Sequence, residues 1–279
     1  MVIRELIKHV ISVLNENQCD NAIFEAHQLV RHVLKMSATD LVINHTQKAA
    51  EKDIEKVNEL LQRRIAGEPL QYILGVQEFM SLKFHVNKSV LIPRADTETL
   101  VEYVIEKHQN DGFTLLDIGT GTGCIPLSIA HYCRRCDARG LDISDEALKT
   151  ARINCSNLRL SERAVFQKCN ILTDMPQGKY DVITSNPPYI ETDVIQTLQT
   201  EVKDFEPHLA LDGGADGLIF YRRICEIAPK ILNAHGMLIF EIGYNQANAV
   251  MKLMCDSFQN VKIIKDLCGN DRVAVGYKK

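Results

Sequence analysis

The stretch Leu115-Leu116-Asp117-Ile118-Gly119-Thr120-Gly121-Thr122-Gly123 decides the fold. Its first four residues end an apolar run of strand length, its three glycines permit close backbone approach, and the residues after it open a helix. In a doubly wound α/β sheet such a strand-to-helix loop lies at the carboxyl ends of the strands, where these sheets bind ligands. Taken alone, the loop fits a nucleotide-like ligand or a simple tight turn equally well.

The surrounding pattern supports the sheet. From about Thr97 onward, strands are predicted at 114–118, 138–142, 164–168, 180–185 and 236–242, separated by helical stretches near 97–108, 122–133, 144–158 and 217–233. This alternation means βαβ crossovers and a mostly parallel sheet covered on both faces. After a helix near 245–256, two last strands, 260–266 and 272–278, flank the short turn Cys268-Gly269-Asn270-Asp271, so the final strand is expected to run antiparallel to the one before it.

The amino-terminal part reads differently. Ile3, Leu6, Ile7, Val10, Ile11 and Leu14 recur at helical spacing. Asp20 is placed to cap a second helix, and a third runs from about Ala50 to Ile65 until Gly67 and Pro69 stop it. Between them and the sheet, Val76–Phe79 and Leu82–Val86 alternate as strands do, on either side of Met80-Ser81. The expected organisation is a helical bundle over 1–74, a β-hairpin connector over 75–92 and an α/β domain over 93–279.

The chain has 279 residues, 46% hydrophobic and 24% charged, with a net charge of −4. That balance argues against a protein whose main task is gripping a phosphate backbone. The nine cysteines are odd in number and irregular in spacing, which suits a reducing cytosol. No stretch reaches the roughly 20 apolar residues of a membrane span. The C-x-x-C at Cys133 and Cys136, near His131, lacks the second ligand pair that a closed zinc site needs, so no metal is expected.

Two further features give the loop a chemistry. The second strand of the sheet ends on Gly140-Leu141-Asp142, placing Asp142 where an acid accepts hydrogen bonds from both hydroxyls of an adenosyl ribose. Asp117 is placed to orient the loop amides or a ligand's ammonium group. The fourth strand ends on Asn186-Pro187-Pro188-Tyr189. Prolines cannot continue a ladder, so the Asn186 side chain and a freed carbonyl become adjacent acceptors suited to a planar –NH2 group, with the Tyr189 ring against it. Dinucleotide dehydrogenases share the ribose acid, but their G-x-G-x-x-G/A fingerprint surrounds a pyrophosphate, and here the sixth position is Cys124. S-adenosyl-L-methionine needs no pyrophosphate site, only the loop, the acid and an acceptor held beside its methyl group.

Asp117 to Gly123, Asp142 and Asn186 to Tyr189 together resemble the class I methyltransferases that act on amino groups. Gly67-Glu-Pro-Leu-Gln71-Tyr72-Ile-Leu-Gly75, Leu91-Ile-Pro93-Arg94-Ala-Asp96-Thr97-Glu98, Leu211-Asp212-Gly213-Gly214-Ala-Asp216-Gly217 and Glu241-Ile242-Gly243 sharpen this to a resemblance to the PrmC/HemK family, across nearly the whole chain. The resemblance implies a Rossmann-like seven-stranded sheet whose last strand is antiparallel; a cytoplasmic location follows from the cysteines, and a monomer is expected. It implies methyl transfer from S-adenosyl-L-methionine to the glutamine amide of the Gly-Gly-Gln motif in class 1 peptide-chain release factors. Asp117, Gly119, Thr120, Gly121, Thr122, Gly123, Asp142, Ile171 and Asn186 are then the cofactor residues, with Ile171 at a position often aromatic in relatives. Asn186, Pro187, Pro188 and Tyr189 hold the glutamine, and Asn186, Pro187 and Tyr189 carry the catalysis.

Two rival functions share part of this reading. A DNA or RNA adenine methyltransferase would use the same cofactor contacts but needs a basic groove, which the acidic balance opposes. A non-catalytic adenosyl-binding module would use Asn186 to Tyr189 only as a strand terminator. Arg94, Asp96 and Glu98 read as an ordinary helix entry with Asp96 or Thr97 as cap. Residues 190–216 form a long acidic connection through Glu191, Asp193, Glu201, Asp204 and Glu206, suited to a basic protein partner.

Overall fold

Ile3, Leu6, Ile7, Val10 and Leu14 fall on one stripe of a helix, and in the computed structural model, which describes all 279 residues, α1 (Ile3–Glu16) buries all five. The chain divides into two units, Met1–Gly75 and Val76–Lys279. In the first, α2 (Ala22–Leu34), α3 (Ala38–Ile43), α4 (Glu51–Ile65) and α5 (Leu70–Leu74) complete a bundle around Leu29, Val30, Val57, Leu60 and Leu61.

One short helix is added here and one expectation changes. The short α3 has too few turns to reveal a stripe; it starts at a capping box, in which Ser37 Oγ accepts the Asp40 N–H and Asp40 Oδ2 accepts the Ser37 N–H, each at 3.0 Å. Asp20 does not cap α2, because Asn21 occupies that position and makes no side-chain bond to the helix. Between α2 and α4, Arg64 grips Glu25 with Nε and Nη2 at 2.7 and 3.0 Å, both side chains nearly buried.

In the second unit β1 (Val76–Phe79) and β2 (Leu82–His85) form a hairpin. Its two turn residues, Met80 and Ser81, have φ of 50° and 57°, the primed turn geometry that matches strand twist. Neither residue prefers that conformation, and neighbours hold it. Glu98 Oε1 accepts the Met80 N–H and the Tyr132 hydroxyl donates to the Met80 carbonyl, both at 2.6 Å. Phe79 and Phe84 pack edge to face in the same core as Leu100, Val101 and Val104.

The α/β part runs through α6 (Glu98–His108), β3 (Phe113–Ile118), α7 (Cys124–Tyr132), β4 (Cys136–Asp142), α8 (Asp145–Asn157), β5 (Ala164–Lys168) and β6 (Tyr180–Ser185). It continues with α9 (Thr200–Lys203), α10 (Ile219–Ile231), β7 (Leu232–Glu241), α11 (Ala247–Cys255), β8 (Phe258–Lys265) and β9 (Asp271–Lys278). The sheet order is β5-β4-β3-β6-β7-β9-β8, parallel from β5 to β7, with β9 antiparallel to β7 and β8. The expected seven strands and antiparallel last strand are present, and β9 inserts beside β7 rather than extending the edge.

The sheet is covered on both faces. Phe113 and Leu115 enter one apolar core, Leu116 and Ile118 the other. Cys133 and Cys136 are buried in the first core, where burial raises both thiol pKa values. Ile118 is level with Leu141 of β4 and with Ser185 of β6. The glycine loop, Asp142 and Asn186 therefore leave the sheet together at one end.

Removing Glu25 takes from the buried Arg64 guanidinium the carboxylate that meets its Nε and Nη2, leaving Nη1 on the Glu68 carbonyl at 3.5 Å. Glu25→Ala is expected to lower the unfolding free energy by about 3 kcal/mol, while the double replacement Glu25→Leu with Arg64→Met costs clearly less. Urea unfolding followed by circular dichroism checks both; equal losses would mean the pair acts only through packing.

Candidate active site

Gly119, Gly121 and Gly123 have φ of 74°, 53° and 77°. Three left-handed residues in five is a backbone that only glycine follows without strain. The N–H groups of Gly119 and Thr120 both donate to the Leu141 carbonyl at 2.9 Å, tying the loop to β4. Gly121 N–H donates to Asp142 Oδ2 and Ser144 N–H to Oδ1, each at 2.9 Å. Each Asp142 oxygen thus keeps a free lone-pair direction. Burial raises the Asp142 pKa, and the backbone N–H groups of Ser144, Gly121 and Ile143 oppose the shift.

Asp117 lies beneath this loop, fully buried. Thr184 donates to its Oδ1 at 2.7 Å, and Oδ2 has no hydrogen-bond partner in the protein. Burial pushes its pKa up to about 7, with the Thr120 and Thr184 hydroxyls pulling the other way. Thr122 Oγ1 accepts the Cys124 N–H at 3.2 Å, and Gly123 caps α7. Sequence reasoning missed the anchor behind them, Asn154 of α8, because a polar residue inside a helix carries no pattern. Its Nδ2 donates to the carbonyls of Thr122 (2.9 Å) and His85 (3.0 Å), while its Oδ1 accepts the His85 N–H at 2.6 Å.

At the end of β6, Ser185 Oγ donates to the Ile118 carbonyl at 2.7 Å, locking the strand end against β3. The carbonyls of Pro187 and Pro188 accept no hydrogen bond from the protein. Asn186 Nδ2 donates to Thr97 Oγ1 at 3.3 Å, and Thr97 Oγ1 donates to Glu241 Oε2 at 2.5 Å. Tyr189 takes another direction: its ring packs on the core under α10 and its carbonyl accepts Gln246 Nε2 at 3.0 Å. The Asp212-Gly213-Gly214 turn folds over this segment. A Cβ on Gly213 would lie 2.8 Å from Tyr189 Cα, and one on Gly217 would overlap the Tyr189 carbonyl.

One cavity of about 260 Å³ joins these pieces. Of the residues anticipated from sequence, Gly119, Gly121, Asp142, Ile171, Asn186, Pro187 and Pro188 line it. Asp117, Thr120, Thr122, Gly123 and Tyr189 stand behind the wall rather than in it. The wall also includes Val90 and Leu91 from the segment before α6 and Pro207 and Leu209 from the long connection, none of which sequence reasoning assigned to the site. Asp142 is the only charged residue among the lining side chains.

The helix-entry residues find structural partners. Arg94 Nη2 pairs with Glu206 Oε2 at 2.6 Å, Asp96 pairs with Arg272 at 3.1 Å, and Glu98 holds Met80. Neither Asp96 nor Thr97 caps α6: Thr97 stands at its N-cap but its hydroxyl is spent on Glu241. Glu206, expected as an outward acid, is buried against Arg94 and the Ile92 N–H, whereas Glu191, Asp193 and Asp204 are exposed.

Comparison with known proteins places this arrangement. The model of the PrmC N-terminal domain matches residues 5–75, and that of a methyltransferase domain matches residues 109–275. A release factor glutamine methyltransferase of Fusobacterium nucleatum is 38% identical over 98% of this chain and 78% of its own length. One of Clostridium acetobutylicum is 36% identical over 100% and 99%. Among solved structures, a methyltransferase of Pyrococcus furiosus covers 80% of this chain and 98% of its own at a TM-score of 0.52 and 19% identity, a likeness of fold.

The buried Asp117 has a consequence for stability. Its folded-state pKa of about 7 exceeds its ordinary 3.8, so it adds stability that is complete below 3.8 and lost as pH rises through about 7. The urea midpoint is expected to fall less between about pH 5 and about pH 8 in Asp117→Asn than in the wild type. Parallel pH profiles would remove Asp117 from this account.

Proposed function

The chain belongs to the release factor glutamine methyltransferase family, and on that premise we propose that it methylates the side-chain amide nitrogen (N5) of the glutamine in the Gly-Gly-Gln motif of class 1 peptide-chain release factors, with S-adenosyl-L-methionine as donor. The observation that carries the reading is the corner formed by Asn186 and the Pro187 carbonyl, two adjacent acceptors on the wall of the cavity that Asp142 and the glycine loop also line.

The residues fit the donor. Asp142 offers a free lone pair on each oxygen for ribose hydroxyls, Ile143, Ile171 and Leu172 give an apolar bed for a flat base, and the loop brings backbone close. Asp117 Oδ2 is a buried acceptor without a partner. Bound there, S-adenosyl-L-methionine supplies an electrophilic methyl group.

The protein's own contribution is to the nucleophile. An amide nitrogen is a poor nucleophile because its lone pair is delocalised into the carbonyl. Asn186 Oδ1 and the Pro187 carbonyl accept hydrogen bonds from its two N–H groups, raise electron density on nitrogen and fix its direction. No general base is needed before transfer, since the methylated amide cation is strongly acidic and releases its proton to water. The helical unit Met1–Gly75 provides docking surface for the protein substrate, and exposed Glu191, Asp193 and Asp204 suit a basic partner. In this reading the enzyme works as a cytoplasmic monomer. No helix is long and apolar enough to cross a membrane.

Labelled donor is expected to mark a release factor, and to mark neither its Gly-Gly-Gln glutamine→alanine variant nor DNA. Asn186→Ala is expected to lower turnover by about 10²-fold to 10³-fold, a loss larger than any change in donor affinity when binding is measured separately. Label on the glutamine→alanine variant, or full turnover in Asn186→Ala, would overturn the assignment.

A further inference from the structure

We propose that Thr97 and Glu241 decide which end of the Asn186 amide faces the cavity, which makes them positioning residues for methyl transfer. The inference rests on the function proposed above and deepens it. An asparagine side chain has nearly the same shape with its oxygen and nitrogen exchanged, so packing cannot choose between them; only hydrogen-bond polarity can. The clamp needs the oxygen outward. With the NH2 outward, two donors would confront the two donors of the glutamine amide.

The polarity is set from behind. Glu241, buried at the end of β7, is acceptor-only when ionised and accepts a hydrogen bond from the Thr97 hydroxyl at 2.5 Å. With its proton committed, the Thr97 oxygen can only accept, and it accepts Asn186 Nδ2 at 3.3 Å. That leaves Asn186 Oδ1 for the cavity. The sequence segments that supply this relay, Leu91 to Glu98 and Glu241 to Gly243, lie far apart in the chain and line no contact with Asn186 that spacing could reveal.

The relay also reverses in a defined way. The groups facing Glu241 are Thr97 and Asp96 from the segment before α6, Asn186 and Tyr189 after β6, Tyr221 of α10, which donates to its carbonyl at 2.9 Å, and Arg272 of β9. Arg272 is shared with Asp96 at 3.1 Å and Asp266 at 3.2 Å. Burial pushes the Glu241 pKa up to about 7, with Thr97 and Arg272 opposing. Once protonated, Glu241 donates to Thr97, the Thr97 hydroxyl turns to Asn186, and the amide must present its oxygen inward. The active polarity is therefore the one present above about pH 7.

The test uses the full chain, a release factor substrate and three variants. Thr97→Val keeps the shape and removes the hydroxyl, Thr97→Ser keeps the hydroxyl, and Glu241→Gln replaces an acceptor by a side chain that can donate. For Thr97→Val and Glu241→Gln, kcat is expected to fall about 10²-fold, with KM and donor Kd within about threefold of wild type in protein that circular dichroism shows to be folded; Thr97→Ser is expected to restore kcat. In the wild type, kcat falls about tenfold per pH unit below about 7, and this limb disappears in Glu241→Gln. Wild-type kcat in a folded Thr97→Val overturns the inference while leaving the function intact, and so does an unchanged acid limb in Glu241→Gln, which serves even if the valine variant fails to fold. A wild-type chain that labels no release factor removes the function first, and the inference with it.

Discussion

Parallel pairing of β3 with β4 on one side and β6 on the other is the constraint on which the site depends. Because Ile118, Leu141 and Ser185 share one level, three chain segments leave the sheet at the same height. A slip of one residue in either pairing would send the next side chain to the opposite face, since strand side chains alternate. Ser185 Oγ on the Ile118 carbonyl and the paired Gly119 and Thr120 N–H groups on the Leu141 carbonyl close both pairings at their last residue. The geometry of the cavity is thus inherited from the strand ladder and from one short, buried serine, not from long flexible side chains.

Around that frame the second layer is polar and buried. Asn154, Thr97, Thr184 and Glu241 are each nearly inaccessible, yet each has a side-chain hydrogen bond whose direction fixes a neighbour. Buried polar groups are costly unless satisfied, and once satisfied they specify a single arrangement. Asn154 does this for the hairpin and the glycine loop together. Its amide meets the His85 N–H and carbonyl as a neighbouring strand would, so β2 ends on a side chain instead of another ladder.

The parts of this structure that were legible in the sequence follow from local rules. Apolar periodicity placed every strand of the large sheet, and the glycine loop, Asp142 and Asn186 followed from what must come after a strand in such a sheet. The parts that were not legible depend on long-range partners. Thr97 sits at a helix start and reads as a cap, but its hydroxyl is claimed by a carboxylate 144 positions along the chain. Glu206 reads as one acid among five in an exposed connection, yet Arg94 draws it inward. Tyr189 reads as part of the ligand wall; two prolines fix the backbone before it, the turn at Gly213 and Gly217 closes over it, and its partly buried ring packs against the core.

The charge inventory of the cavity separates the two cofactor classes that its loop admits. A pyrophosphate needs cations or several free amides, and the lining offers no lysine, arginine or histidine, only the acid Asp142. Behind it lies Asp117, whose unpartnered oxygen and raised pKa mark an acid left short of positive charge. An anion brought to this place would add repulsion to an already unfavourable burial. A ligand carrying positive charge would do the opposite, lowering the pKa of both acids and recovering part of what their burial costs. The donor proposed above carries an ammonium and a sulfonium group beside a single carboxylate, so its net positive charge suits these acids better than the two phosphates of a dinucleotide would.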